Sequence, residues 1–161
     1  MSETDAELGP DEEVGPDEEL RDLLETMVEA FGIEAEVAVI IDEGEVRGSV
    51  EGRGAELLVG EDGAVIEAIQ HLAQRIVLRG EVGLRVTVDA AGYRGRREEA
   101  LRVEADRAAE RAVGEGREVA LRPMPAAERR FVHEYLRERG DVETHSEGDE
   151  PRRRLVVSPS A

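Results

Sequence analysis

The chain has 161 residues, and its 40% apolar content suits one ordinary domain or two small ones. It has no Cys, no Trp, two Tyr and two Phe, which excludes a disulfide framework, a Cys-based zinc site, a thiol nucleophile and an aromatic-rich base-stacking sheet. Net charge is −18, yet all 21 basic residues are Arg and the charge is unevenly spread.

Residues 1–19 hold nine acids and no base. They repeat Gly9-Pro10-Asp11-Glu12-Glu13 as Gly15-Pro16-Asp17-Glu18-Glu19. Pro, Gly and like charges bury little apolar area, so the pattern predicts a disordered acidic tail over 1–19. It solvates the chain, or it competes with an anionic ligand for a basic patch.

Order is expected from Leu20. Leu20, Leu23, Leu24, Met27, Val28 and Phe31 recur at helical spacing, and Gly32 closes the run. Val37, Val39 and Ile41 alternate, Asp42-Glu43-Gly44 turns, and Val46 to Val50 returns as a second strand. The apolar run from Ala55 to Val59 leads into Gly60-Glu61-Asp62-Gly63 and then a helix with Val65, Ile66, Ile69, Leu72, Ala73 and Ile76 on one stripe. Leu84 to Val88 alternates as a strand, and the chain turns at Ala91-Gly92.

Arg94 to Val113 reads as a charged helix with a narrow stripe of Leu101, Ala105, Ala108 and Ala112, broken by Gly114 and Gly116. Glu118 to Arg122 reads as a strand. Pro123 and Pro125 then start a helix to about Arg139, stopped by Gly140. Val142 to Ser146 and Arg152 to Val157 are strands around the turn Glu147 to Pro151.

Two patterns carry chemistry. In Gly60-x-x-Gly63, glycines admit close backbone approach and a helix N-terminus offers N–H groups to a phosphate. Glu61 and Asp62 oppose that use, since both repel a phosphate; Asp62 is equally placed to cap the helix. In Arg129-x-x-x-His133, helical rotation of about 100° per residue puts His133 near 40°, Arg137 near 80° and Arg130 near 100° from Arg129. That is a cationic front on a helix whose back is largely apolar, with Glu128 the polar exception. A phosphate-contacting face competes with a solvated face of i,i+4 pairs such as Arg130–Glu134.

Further cations add to both readings. Arg152 and Arg154 should point one way along a strand, with Arg153 on the side of Leu155 and Val157. Arg94, Arg96 and Arg97 cluster at a helix start, where the dipole disfavours cations unless an anion offsets them.

Catalysis finds little support. There is no P-loop; His133-Glu134 has Arg137 where a metalloprotease helix needs its second His; and His133, Ser146 and Glu134 make no triad by spacing. No enzymatic activity, cofactor or metal is expected.

The stretches RPMPAAERRFVH (122–133), THSEGDEP (144–151) and RRLVV (153–157) resemble the R-three-H domain, and more closely the bacterial Jag family, the SpoIIIJ-associated or KhpB proteins. AAGYRGRR (90–97) resembles that family's domain junction, and LVGEDGAVIEAIQHL (58–72) its KH segment. The resemblance implies an α+β chain: a type II KH-like domain, with a three-stranded sheet and helices, over 20–91, then a small α/β R-three-H-like domain over 92–161. It implies single-stranded RNA as partner, often with a second small KH protein, a cytoplasmic location, and a regulatory role in cell elongation and envelope growth. From the residues alone, no apolar run nears the roughly 20 that a membrane span needs, so no membrane insertion is expected, and self-association belongs to the competing expectation of a protein-interaction module.

Arg129 and His133 match the motif's defining positions, and Gly60 and Gly63 match the clamp glycines. Family loops carry a Lys or Arg where this chain has Glu61 and Asp62, which moves the expected RNA contact to the C-terminal domain, at Arg129, Arg130, His133, Arg137, Arg152 and Arg154, with Arg94, Arg96 and Arg97 behind them. The basic arc suggests about 3–5 phosphate contacts. The competing expectation is a protein-interaction module whose Gly60–Gly63 loop has lost RNA contact.

Overall fold

The computed structural model describes residues 14–79 and 83–160. The first acidic repeat, Gly9 to Glu13, lies outside them. The chain divides into two compact units, one up to Tyr93 and one from Arg94, two residues later than the sequence boundary.

The first unit opens with α1 (Pro16–Ala30). This corrects the expectation of disorder through residue 19. Pro16 sits at the first helical position, where its missing N–H costs nothing, and Asp17, Glu18 and Glu19 occupy the first turn, where the helix dipole favours carboxylates. The composition that reads as a tail is also the composition of a helix start. Glu19 is further held by Arg79 at 2.7 Å.

β1 (Glu34–Asp42) and β2 (Glu45–Arg53) form an antiparallel hairpin, and β3 (Arg85–Ala90) pairs parallel with β2, giving the order β1-β2-β3. Between β2 and β3 run a 3-10 turn (Ala55–Leu58), the Gly60–Gly63 loop and α2 (Ala64–Val77). The inward residues Val46, Val50, Val86 and Val88 pack against Leu20, Leu24, Ile66, Ile69 and Ala73. A Cβ on Gly48 would lie 2.5 Å from Leu24 Cδ1, so only glycine lets α1 pack this closely on β2. The Gln70 side chain donates to the Val86 carbonyl (2.7 Å) and accepts from the Val88 N–H (2.8 Å), which covers backbone groups of the edge strand β3.

The second unit contains α3 (Tyr93–Glu115), β4 (Val119–Pro123), α4 (Ala126–Arg137), β5 (Val142–Glu147) and β6 (Arg154–Pro159). Its antiparallel sheet has the order β4-β6-β5. Val119, Leu121, Val142, Leu155 and Val157 face a core completed by Leu101, Ala105, Ala108 and Ala112 of α3 and Val132 and Leu136 of α4. The whole chain is α+β, with four α-helices and two three-stranded sheets among the described residues.

Candidate nucleic-acid interface

α4 turns its Val132 and Leu136 inward, and half-buried Phe131 and Tyr135 flank them. Arg129 does not join the exposed cationic front. It is 8% exposed, with Nε donating to the Met124 carbonyl (3.2 Å), Nη1 to Ser146 Oγ (3.2 Å), and Nη2 ion-paired with Glu150. The reason lies in the same helical rotation. Leu136, seven residues on, returns to about 20° from Arg129, so Arg129 borders the apolar stripe. Its guanidinium ties α4 to β5 and to the β5–β6 turn.

His133, Arg130 and Arg137 stand exposed on the same helix. His133 Nδ1 is hydrogen-bonded to Thr144 Oγ1 of β5. Two cavities open on either side of that contact, between α4 and β5. One, of about 330 Å³, is lined by Arg129, Arg130, His133, Thr144, His145 and Ser146 among others. The other, of about 290 Å³, is lined by His133, Arg137, Glu143 and Thr144 with Leu136 and Val142. The strand alternation that buries Val142 brings Thr144 and Ser146 to this same face. The result is a groove with hydroxyl, imidazole and guanidinium donors along both walls.

The charges in the groove are unequally free. Arg130 is 80% exposed and reaches Glu134 at 2.9 Å, an i,i+4 pair of the kind worth a few tenths of a kcal/mol. The Arg130 hydrogen bond holds the Glu134 carboxyl below its usual range. Arg137 makes no ion pair among the described residues. A phosphate entering here meets cations held by weak, solvated partners.

The remaining predicted residues divide. Arg152 lies in the β5–β6 turn, its N–H donating to the Asp149 carbonyl (2.8 Å), so it does not share a strand face with Arg154 as expected. The strand starts only at Arg154 because residues 148–152 complete the turn. Arg152 and Arg154 are both exposed, and Arg154 reaches Glu147 at 3.6 Å. Arg153 is half-buried, as its parity implied, and its Nε is buried without a hydrogen-bond partner.

Arg97 is a correction. Its Nε and Nη2 each lie 2.6 Å from a Glu128 carboxylate oxygen, and both side chains are over four-fifths buried. The anion that offsets a cation at this helix start is internal, and the same pair accounts for Glu128 on the apolar side of α4. Arg94 and Arg96 stand on the first turn of α3, and neither is without a partner.

In the first unit, Gly60 (φ 73°) and Gly63 (φ 81°) adopt backbone that favours glycine. A Cβ on Gly63 would meet the Tyr93 hydroxyl at 2.5 Å. The Val65 and Ile66 N–H groups at the start of α2 donate to the Val59 carbonyl (3.0 and 3.2 Å), so they are already used. Glu61 and Asp62 are exposed, and Asp62 is left-handed (φ 51°). Asp62 does not cap α2: the capping position is Gly63, without a side-chain bond.

Sequence reasoning quoted Thr144, Ser146 and Glu150 within the motif stretch 144–151 but gave none of them a place in the site. The alternation of β5 was the available signal for the first two. Among the described residues no group of three or more His, Asp or Glu is placed to hold a metal ion, and no helix is long and apolar enough to cross a membrane.

Residues 99–159 match the R-three-H domain model, a span that holds the whole α4–β5 groove. The chain is 31% identical over 140 residues to the RNA-binding protein KhpB of Clostridium symbiosum, covering 85% of this chain and 63% of that protein. It is 33% identical over 138 residues to the RNA-binding protein KhpB of Bacillus subtilis (84% and 66%). It is 33% identical over 140 residues to the protein of that name from Lactiplantibacillus plantarum (86% and 44%). The chain therefore spans less than two thirds of the length of these relatives.

Proposed function

The chain belongs to the Jag (KhpB) family, and from that premise we propose that it binds single-stranded RNA through the α4–β5 groove. The observation that carries this reading is one juxtaposition. His133, Arg130 and Arg137 face Thr144 and Ser146 across two adjacent cavities, inside the span that matches the R-three-H domain. Guanidinium, imidazole and hydroxyl groups suit phosphate and sugar oxygens. With four aromatic rings in the whole chain, stacking contributes little, so sequence preference is modest.

Arg130 and Arg137 are the groove's phosphate contacts in this proposal, with His133 between them; Arg152 and Arg154, which line neither cavity, take phosphates of a strand running on beyond the groove. Arg129 holds the groove's two walls together. Arg97 is committed to Glu128 and makes no RNA contact. The first unit is KH-like: its order of helix, strand, strand, G-x-x-G, helix and strand supports that assignment. Its loop carries Glu61-Asp62 and used helix N–H groups, so it contributes little to phosphate binding.

Anisotropy of a labelled single-stranded RNA at two salt concentrations tests the reading. Four contacts imply a slope of log K against log salt near −3, at roughly −0.7 per phosphate. The double variant Arg137→Ala/His133→Ala should lose most affinity with an unchanged thermal melt. No binding by the wild type at low salt would refute the reading.

The wider role we propose is regulatory, non-enzymatic and cytoplasmic, tied to cell elongation and envelope growth, with a second small KH protein or a second copy as partner. One observation favours a second reading: the exposed Glu61 and Asp62 on the Gly60–Gly63 loop suit a protein-interaction module without RNA contact. A single defined oligomer that purifies free of nucleic acid and binds none at low salt would select it.

A further inference from the structure

The α4–β5 groove lies at one edge of the second unit's sheet. At the other edge is β4, whose outer side is unpaired in the order β4-β6-β5. Between β4 and α3 opens a separate cavity of about 210 Å³, lined by Arg107, Arg111 and Arg122 with Glu104 and four apolar or backbone positions. Three guanidinium groups and one carboxylate line it, on a chain of net charge −18.

The three cations are arranged for an extended anion. Arg107 and Arg111 are four residues apart on α3, so they share one face about 6 Å apart along the axis. Arg122 faces them from β4. Arg107 makes no ion pair among the described residues. Arg111 reaches Glu115 at 3.4 Å, and Glu115 is shared with Arg117. Arg122 reaches Glu104 at 3.3 Å. These are solvated pairs, which a phosphate can displace at little cost.

The geometry points to a second phosphate-binding site at the α3–β4 edge, formed by Arg107, Arg111 and Arg122, that takes the backbone of the same RNA strand. This inference rests on the RNA reading above. With strands about 4.8 Å apart, the two sheet edges lie roughly 10 Å from each other. At about 3.4 Å or more per phosphate, a strand of several nucleotides reaches both.

The test is the salt dependence of the full chain's affinity for a 20-nucleotide single strand of RNA. Arg107 and Arg111 are exposed on a helix, and Ala is a stronger helix former, so Arg107→Ala/Arg111→Ala should fold with an unchanged melt. The control Arg75→Ala/Arg85→Ala removes the same charge from exposed positions of the first unit. The expected result is a loss of about tenfold for the 20-mer at low salt and a slope shallower by about 1.4.

Two results would overturn the inference while leaving the groove reading intact. One is an unchanged 20-mer affinity in Arg107→Ala/Arg111→Ala when Arg137→Ala/His133→Ala loses binding. The other is an equal loss from the control, which would mark a general charge effect. If the wild type does not bind the 20-mer, the RNA reading itself falls and the second site falls with it.

Discussion

Replacing Arg129 with Ala should damage the second unit's stability more than it damages phosphate contact. The guanidinium satisfies the Met124 carbonyl and Ser146 Oγ and pairs with Glu150. Its loss leaves a buried carbonyl unpaired, at about 1–3 kcal/mol, and removes a second, part-buried bond worth about 1 kcal/mol. Glu150 is 57% exposed and rehydrates when released, so the ion pair adds at most about 1 kcal/mol. The total is near 3 kcal/mol. For a unit of this size that lowers Tm by about 12–24 °C. Glu150→Gln, which keeps a hydrogen-bond acceptor for Arg129, should cost under about 1 kcal/mol. Thermal melts followed by circular dichroism read both variants. RNA titrations at a temperature where Arg129→Ala is folded give the second readout. Weaker affinity with an unchanged salt slope marks a positioning residue; a slope shallower by about 0.7 marks a lost phosphate. An Arg129→Ala melt within a degree or two of wild type would refute the burial argument, as would an equal cost from Glu150→Gln.

Arg97→Ala should destabilise the second unit by about 2–4 kcal/mol, because it strands the largely buried Glu128 carboxylate; chemical denaturation measures this, and a cost under about 0.5 kcal/mol would contradict it. Gly63→Ala should lower Tm more than Gly140→Ala: both have positive φ, at about 1 kcal/mol, but only at Gly63 does the new Cβ strike a neighbour, the Tyr93 hydroxyl. Glu61→Lys/Asp62→Lys should raise RNA affinity at low salt without changing the melt if the loop's charge is what excludes phosphate; unchanged affinity would show that the loop stays off the RNA for another reason. The Arg139 hydrogen bonds hold the Asp141 carboxyl below its ordinary 3.8. A depressed carboxyl stabilises the fold above its unfolded pKa and ceases to as pH falls through the folded one, so wild type should lose stability below about pH 4 more steeply than Asp141→Asn.

The local patterns were legible from residues alone. Helical spacing in 20–31, 65–76 and 101–112, alternation in 37–50, and the Gly and Pro punctuation each act within a few residues, and every such segment forms the element its period implies. The motif pair Gly60–Gly63 and Arg129–His133 was legible for the same reason, being defined by spacing. What failed were judgements about charge. Pro16 to Glu19 read as a solvated tail, yet the same carboxylates suit a helix start, and only the packing of Leu20 and Leu24 into a core makes that helix persist. Arg129 and Arg97 read as surface cations because sequence counts charges without their partners. Their carboxylates, Glu150 and Glu128, stand 21 and 31 residues away, and only the fold brings them within bonding distance. Thr144 and Ser146 became groove residues because α4 lies across β5. Short-range patterning thus dictates where helices and strands form and which chemistry is available. Which charges are neutralised internally, and which stay free for a ligand, is set by the folded chain, because it depends on pairings between residues far apart in sequence.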